Sequence, residues 1–270
     1  MAENKENASD RQNWKSEFQY MEKYYVPNAR HSALYQQILD KVVRLAKRHH
    51  PQPRCVADFG CGPGLVIERL LRVFPGIERV DGFDSASGLG RIGLASFSRL
   101  RKAFGRRLFF YEGPDGDLTK PLALARHYDL VLNNNVLFIF TDETERRQAV
   151  RNLAEALTAD GLLVVSTITP LFRTYIRNKD LLREEMVYHY LLKPWRFVTD
   201  LAPQMRHIRQ LALVNRSVDS RVTPELLAAW LEENGLAIVG EEIFYTPHKY
   251  RREGARSAGG IMYVARRPTF

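Results

Sequence analysis

Cysteines and long apolar runs are scarce in this chain of 270 residues, and each scarcity excludes a class of protein. The two cysteines, Cys55 and Cys61, are too few for a disulfide framework and lack the spacing of a zinc site. No run of about 18 apolar residues is present, which excludes a transmembrane helix. The first twelve residues are polar and lack the apolar centre of a secretory signal. We therefore expect a cytoplasmic globular protein with reduced thiols and no metal centre.

The net charge of +9 is unevenly distributed. Residues 56–168 carry equal numbers of acidic and basic side chains, so the excess lies in the two flanking segments. A basic excess fits an acidic substrate or a nucleic acid, because phosphates dominate such binding. Here the basic residues are interleaved with acidic ones, which favours a solvated arginine-rich surface. Nucleic acid is therefore not the partner we expect.

Strands and helices alternate through the middle of the chain, a pattern typical of a doubly wound, mostly parallel α/β sheet. Apolar runs predict strands at Cys55–Phe59, Ile77–Phe83, Leu108–Glu112, Leu130–Leu132 and Leu162–Thr167. Helical spacing predicts helices at Leu65–Val73, Gly88–Phe104 and Asp142–Leu157. The alternation stops after Pro170 and resumes at Thr223, which caps a helix that ends at Gly235. Two further strands follow, at Ala237–Phe244 and Ile261–Arg266.

These patterns divide the chain into four regions. Residues 1–53 form a polar tail and a helical cap, with two helices broken near Pro27, and residues 54–168 form the core. Residues 169–222 form an aromatic and basic insertion after the fifth strand. Residues 223–270 supply the last helix and the last two strands.

The most informative motif lies where the first strand ends. The apolar strand carries Asp58 and runs into Gly60, Gly62 and Gly64, after which a helix begins. Glycines at this spacing let the backbone turn tightly and approach a ligand, because they have no Cβ. A dinucleotide fingerprint would have glycine at the position of Leu65. The motif therefore predicts a cradle for a different nucleoside cofactor.

The pattern D-x-G-x-G-x-G from Asp58 to Gly64 resembles motif I of the class I S-adenosylmethionine-dependent methyltransferases. The resemblance spans residues 54–168 and 223–267. It implies a seven-stranded Rossmann-like sheet that ends in an antiparallel hairpin, with residues 169–222 as a substrate lid. It also implies S-adenosylmethionine as the cofactor, with Asp58 accepting hydrogen bonds from its amino group directly or through water. Gly60, Cys61, Gly62 and Gly64 would pack under its methionine half.

Two further acids match the expected positions of cofactor ligands. Asp84, twenty residues beyond Gly64, ends the second strand with Ser85 beside it, at the spacing of a ribose-binding acid. Asp81 competes for this role, but it lies before the strand end and we expect it to be solvated. Past the third strand, Asp115 resembles the residue that holds the adenine amine, although a plain turn residue is nearly as good an interpretation.

Three consecutive amides follow the fourth strand and resemble the family's motif IV. We expect Asn133 to contact the cofactor and Asn134 or Asn135 to face the acceptor; the alternative is that they only satisfy turn backbone. Many small-molecule members have a histidine near this point. This chain has Phe138 there, which argues against a general base at that position.

Candidate residues outside the core are aromatic or basic. Tyr175 in the insertion is placed to stabilise a sulfonium through its ring face. Tyr25 and Arg30 are candidates to close over the cofactor from the N-terminal side, with Arg30 pairing a carboxylate; a solvated Arg30 is the favoured alternative. His189 and His207 are possible bases, but ordinary surface or lid histidines are the favoured interpretation.

The resemblance implies methyl transfer to a nitrogen or oxygen of a small molecule, in secondary metabolism. One alternative keeps the cofactor but not the transfer: S-adenosylmethionine is cyclised to azetidine-2-carboxylate and methylthioadenosine. A third, methylation of RNA, is the least favoured because the chain has no separate RNA-binding motif. The partner we expect is a small-molecule substrate, with a homodimer as an open alternative.

Overall fold

The computed structural model describes residues 33–85, 92–120, 127–140, 142–169, 222–244 and 260–268. The predicted break near Pro27 and almost all of the proposed lid lie outside these ranges. So do five of the candidate residues named above, namely Tyr25, Arg30, Tyr175, His189 and His207.

The sheet has seven strands in the order β3-β2-β1-β4-β5-β7-β6. Strands β1 to β5 pair in parallel, whereas β7 runs antiparallel to both of its neighbours. The strands are β1 Cys55–Phe59, β2 Arg79–Asp84, β3 Leu108–Glu112, β4 Tyr128–Asn134, β5 Leu157–Ile168, β6 Ala237–Phe244 and β7 Gly260–Arg266. The predicted doubly wound sheet and its terminal antiparallel hairpin are confirmed.

Helices cover both faces of the sheet. They are α1 Ala33–His49, α2 Leu65–Val73, α3 Ile92–Phe104, α4 Glu143–Glu155 and α5 Pro224–Glu233. Buried side chains of α1 and α2 belong to one apolar cluster, and those of α4 and α5 belong to a second cluster. Among the helices within the described ranges, none combines the length and hydrophobicity needed to cross a bilayer.

Local sequence explains where α5 begins and ends. The side chain of Thr223 accepts a hydrogen bond from the backbone N–H of Leu226, and Pro224 occupies the first turn, where its missing N–H costs nothing. Just beyond the helix, Gly235 has φ 72°, a backbone conformation that glycine adopts without strain. Capping interactions seen in the structure therefore explain the predicted bounds of α5.

Strand β4 is longer than its apolar run suggested. Leu130–Leu132 marks its apolar centre, but the strand extends from Tyr128 to Asn134. Asn133 and Asn134 continue the ladder because they pair with Val165 and Ser166 of β5. β4 therefore extends through its polar residues because it pairs with β5, not because those residues are hydrophobic. Its end lies at the edge of the sheet where ligands bind in α/β folds.

The expectation that Asp81 is solvated is wrong. Its side chain is fully buried, where it accepts hydrogen bonds from the hydroxyl of Tyr128 at 2.7 Å and from Nε of Arg79 at 3.0 Å. Burial, followed by this contact with the aspartate, raises the pKa of Tyr128. Asp81 belongs to an internal polar network, which leaves Asp84 as the acid at the end of β2.

Candidate active site

The glycine loop follows β1 at the carboxyl edge of the sheet. Gly60, Gly62 and Gly64 have φ values of 75°, 49° and 75°, in the left-handed region that disfavours other residues. The N–H groups of Gly60 and Cys61 both donate to the carbonyl of Phe83, at 2.7 and 3.1 Å. The loop is therefore fastened to the end of β2 before it enters α2.

Two glycines of this loop meet different surroundings. A Cβ added to Gly60 would lie 2.1 Å from Cγ2 of Val136, so the segment after β4 packs directly against the loop. A Cβ added to Gly62 would have no atom within 4 Å. Gly60 thus permits packing inside the protein, whereas Gly62 borders open space.

Asp84 connects the ends of β1 and β2. Its Oδ2 accepts a hydrogen bond from the backbone N–H of Gly62 at 2.9 Å, and the residue is buried. Ser85, the next residue, is exposed. The acid that the sequence proposed for a ribose therefore also holds the glycine loop.

Asp58 is the most unusual group of the site. Only 1% of the residue is exposed, and its Oδ2 has no hydrogen-bond partner. Burial first, and then the charge of Asp84, raise the pKa of Asp58 from 3.8 to about 7. A buried carboxylate oxygen without a donor is costly. The arrangement therefore suits a ligand that brings a donor or a positive charge.

The segment after β3 forms a single 3-10 turn from Gly113 to Gly116. A Cβ on Gly116 would lie 2.4 Å from the carbonyl oxygen of Asp84, so this turn closely approaches the end of β2. Asp115, within the turn, is exposed. The structure thus brings the predicted adenine-binding residue to the same edge as Asp84.

Asn133 is fully buried and attached to β1. Its Nδ2 donates to the carbonyl of Phe59 at 3.0 Å, whereas its Oδ1 has no hydrogen-bond partner. Through its nitrogen the side chain therefore bonds to the backbone of β1. Oδ1 of Asn133 therefore remains a hydrogen-bond acceptor without a partner, near the end of β4.

The other two amides form a network with Ser166 of β5. The hydroxyl of Ser166 donates to Oδ1 of Asn134 at 2.6 Å and accepts from the backbone N–H of Asn135 at 3.1 Å. Asn135 has φ 58°, and no other non-glycine residue of the described ranges has a positive φ. Sequence reasoning missed Ser166. Its position near the end of the strand predicted at Leu162–Thr167 is the signal that could have found it, because ligands bind at the carboxyl ends of strands in α/β sheets.

Cys61 lies inside the glycine loop and is buried. Burial, followed by the charges of Asp84 and Asp58, raises the pKa of its thiol well above the usual value. The thiol is therefore protonated, as expected for a reduced structural cysteine. Its carbonyl accepts a hydrogen bond from the N–H of Gly64 at 2.9 Å, which tightens the loop.

Comparison with known proteins identifies the family. The model of a family described as a methyltransferase domain matches residues 29–241. The chain belongs to this methyltransferase family. Among curated protein sequences, none matches it. The prediction of a class I S-adenosylmethionine-dependent methyltransferase is confirmed, and with it the prediction of S-adenosylmethionine as the cofactor.

Solved structures similar to this chain have names that describe different activities. The N-methyltransferase NodS from Bradyrhizobium japonicum WM9, in complex with S-adenosyl-L-homocysteine, has a TM-score of 0.55 and 16% identity over 88% of this chain and 89% of that chain. An O-methyltransferase family protein from Burkholderia thailandensis has a TM-score of 0.56 and 19% identity over 88% and 57%. The [4+2]-cyclase SpnF has a TM-score of 0.55 and 15% identity over 88% and 84%. At such identities the similarity shows the fold alone.

The residues of this chain fit the cofactor of its family. The unpartnered Oδ2 of Asp58 suits the ammonium group of a methionine moiety. The open space beside Gly62 suits close approach of a ligand to backbone. Both features lie at one edge of the sheet, next to Asp84.

Proposed function

We propose that the protein transfers the methyl group of S-adenosylmethionine to a nitrogen or oxygen of a small-molecule acceptor, in secondary metabolism. The observation that carries the proposal is the buried Oδ2 of Asp58, unpartnered beside a glycine loop that borders open space. A ligand with both a cationic amino group and a nucleoside matches this combination. The family supports the same reading.

Each residue of the site has a proposed role. Asp58 pairs with the cofactor's ammonium group, and the loop from Gly60 to Gly64 packs under its methionine half. Asp84 accepts hydrogen bonds from the ribose, and Asp115 accepts from the adenine amine. Asn133 supplies an acceptor through its unpartnered Oδ1.

The main contribution of the protein to this reaction is to position the two reactants. When bound, S-adenosylmethionine supplies a methyl group on a sulfonium that leaves readily. Holding two reactants aligned and in contact accounts for a large part of the acceleration that enzymes achieve. Asn134 and Asn135, fastened to Ser166, provide fixed polar groups beside the cofactor loop for orienting an acceptor. The site therefore supports an in-line displacement with rigid orienting groups.

Replacing Asp84 by alanine is expected to weaken S-adenosylmethionine binding by roughly 1.5–3 kcal/mol, because hydrogen bonds to a charged group are lost. The substitution also frees the N–H of Gly62. Isothermal titration calorimetry measures the affinity, and Asp160→Ala, which removes an exposed carboxylate, is the matched control. Unchanged affinity in Asp84→Ala would contradict the ribose assignment.

A reaction on the cofactor itself is the second candidate. Here its amino nitrogen attacks the γ-carbon, which yields azetidine-2-carboxylate and methylthioadenosine. The buried, unpartnered Oδ2 of Asp58 favours this candidate, because a carboxylate beside the ammonium group can receive a proton from it. The same residue thus serves either candidate.

Incubation of the purified protein with S-adenosylmethionine and no acceptor distinguishes the two reactions. We expect the cofactor to remain intact until a methyl acceptor is added, after which S-adenosylhomocysteine accumulates. Chromatography with mass spectrometry identifies both products. Methylthioadenosine formed faster than in a protein-free control, together with azetidine-2-carboxylate, would overturn methyl transfer in favour of cyclisation.

A further inference from the structure

Ser166 has a single proton to donate, and its surroundings determine where that proton goes. The residue is 1% exposed, so water does not compete for the hydroxyl. The hydroxyl accepts from the N–H of Asn135 at 3.1 Å, and the carbonyl oxygen of Ser166 accepts from the same N–H at 3.0 Å. Oδ1 of Asn134 lies at 2.6 Å, whereas Oδ1 of Asn135 lies at 3.4 Å. A buried hydroxyl proton needs an acceptor, and the nearer oxygen takes it.

This hydrogen bond fixes the orientation of the Asn134 amide. A carboxamide presents an acceptor at its oxygen and two donors at its nitrogen. Because the oxygen of Asn134 is held by Ser166, its NH₂ group is the end directed elsewhere. Asn134 is half-buried and ends β4, so this group is available to a ligand at the carboxyl edge of the sheet. Ser166 is therefore a positioning residue that makes Asn134 a hydrogen-bond donor.

A fixed N–H donor beside the reacting atom of the acceptor favours oxygen over nitrogen as that atom. A neutral amine nitrogen has one lone pair, which it needs for attack on the methyl group. An oxygen has at least two lone pairs, so it can accept from Asn134 with one and attack with another. In transfer to a hydroxyl, the oxygen's lone pair forms the C–O bond, the C–S electron pair stays on sulfur, and the hydroxyl proton passes to water.

We infer that this site selects hydroxyl acceptors over amines, with Asn134 as the selecting donor and Ser166 as the residue that orients it. The inference rests on the methyl transfer proposed above and narrows its acceptor from nitrogen or oxygen to oxygen. The inference depends on the orientation of the Asn134 amide, which the buried Ser166 on the neighbouring strand determines.

Binding of matched probes to the complex with S-adenosylhomocysteine tests the selectivity without relying on turnover. The probe pairs are benzyl alcohol with benzylamine, and 2-phenylethanol with 2-phenylethylamine. At neutral pH each amine is protonated, so its nitrogen, like one whose lone pair attacks the methyl group, cannot accept a hydrogen bond from Asn134. Calorimetry first establishes S-adenosylhomocysteine affinity, and ligand-observed NMR titrations then give the probe affinities. The wild type is expected to bind each hydroxyl probe about tenfold more tightly than its amine partner, the effect of about one hydrogen bond.

Two substitutions separate the roles of the side chains. Asn134→Asp removes both N–H donors but keeps an oxygen for Ser166, and is expected to bring the hydroxyl-to-amine ratio to about one or below. Ser166→Ala frees the amide to rotate and is expected to lower the ratio severalfold. Gln37→Glu and Ser98→Ala make matching changes at exposed helix positions and should retain the wild-type ratio.

Each outcome decides the inference. A wild type that binds S-adenosylhomocysteine but shows no preference for hydroxyl probes, or prefers amines, contradicts the selectivity. A preference that survives in Asn134→Asp excludes Asn134 as its source, and an unchanged ratio in Ser166→Ala excludes the orienting role of the serine. Failure of the wild type to bind S-adenosylhomocysteine would instead contradict the proposed function itself.

Discussion

Replacement of Gly60 by alanine is expected to lower the free energy of unfolding by about 2–5 kcal/mol. Two costs add. The φ of 75° places an L-residue in the left-handed region, at about 1–2 kcal/mol, and the new methyl group would overlap Val136, at about 1–3 kcal/mol. Denaturant unfolding monitored by circular dichroism measures the change. Loss of S-adenosylmethionine binding should accompany it, because the segment after β4 has to move away from the glycine loop.

Gly105→Ala isolates the first of these costs. Gly105 has φ 81°, and a Cβ there would meet no atom within 4 Å. This control is expected to lose only about 1–2 kcal/mol. Equal losses of unfolding free energy in the two variants would show that overlap of the added methyl group with Val136 adds no cost.

The stability of the ligand-free protein is expected to fall as the pH rises from about 4 to about 7, because of Asp58. Its pKa is raised from 3.8 in the unfolded chain to about 7 in the folded protein. Between these values the folded state binds a proton that the unfolded state has released. This contribution to stability is therefore complete below pH 3.8 and is lost as the pH approaches 7.

Asp58→Asn removes this titration. The difference in unfolding free energy between the variant and the wild type is expected to shift in favour of the variant by about 3 kcal/mol from pH 5 to pH 8, given 1.36 kcal/mol per pKa unit. Denaturant titrations at several pH values provide the measurement, with Asp160→Asn as an exposed control. Parallel pH profiles for wild type and Asp58→Asn would contradict the buried, protonated state of Asp58.

Local patterns predicted the elements that depend on local chemistry. The bounds of β1, α2, β3 and β6 were predicted correctly, because each is an apolar run or amphipathic stretch bounded by turn or capping residues. Of the site, the glycine loop and Asp84 were found for the same reason. Their spacing along the chain already reflects a strand, a turn and a helix, and the structure places them in contact.

Features that depend on partners distant in sequence were missed or misjudged. Asp81 looked solvated because its partner Tyr128 lies far along the chain. The polar ends of β4 were missed because only pairing with β5 makes Asn133 and Asn134 strand residues. Ser166 escaped notice because an isolated serine carries no pattern of its own. In each case the contact that determines the residue's environment joins two different strands. Sequence periodicity contains no information about contacts between strands.

The order of the strands also dictates how late the sheet can be completed during synthesis. Strand β5 ends at Ile168, but the strand that covers its free edge begins only at Gly260. Strand β6 emerges earlier, yet it pairs with β7 and not with β5. Within the described residues, the edge of β5 therefore stays without its neighbouring strand until β7 has left the ribosome. Such edges invite pairing with other chains, so the interval between synthesis of β5 and synthesis of β7 is the period in which this topology exposes the chain to aggregation.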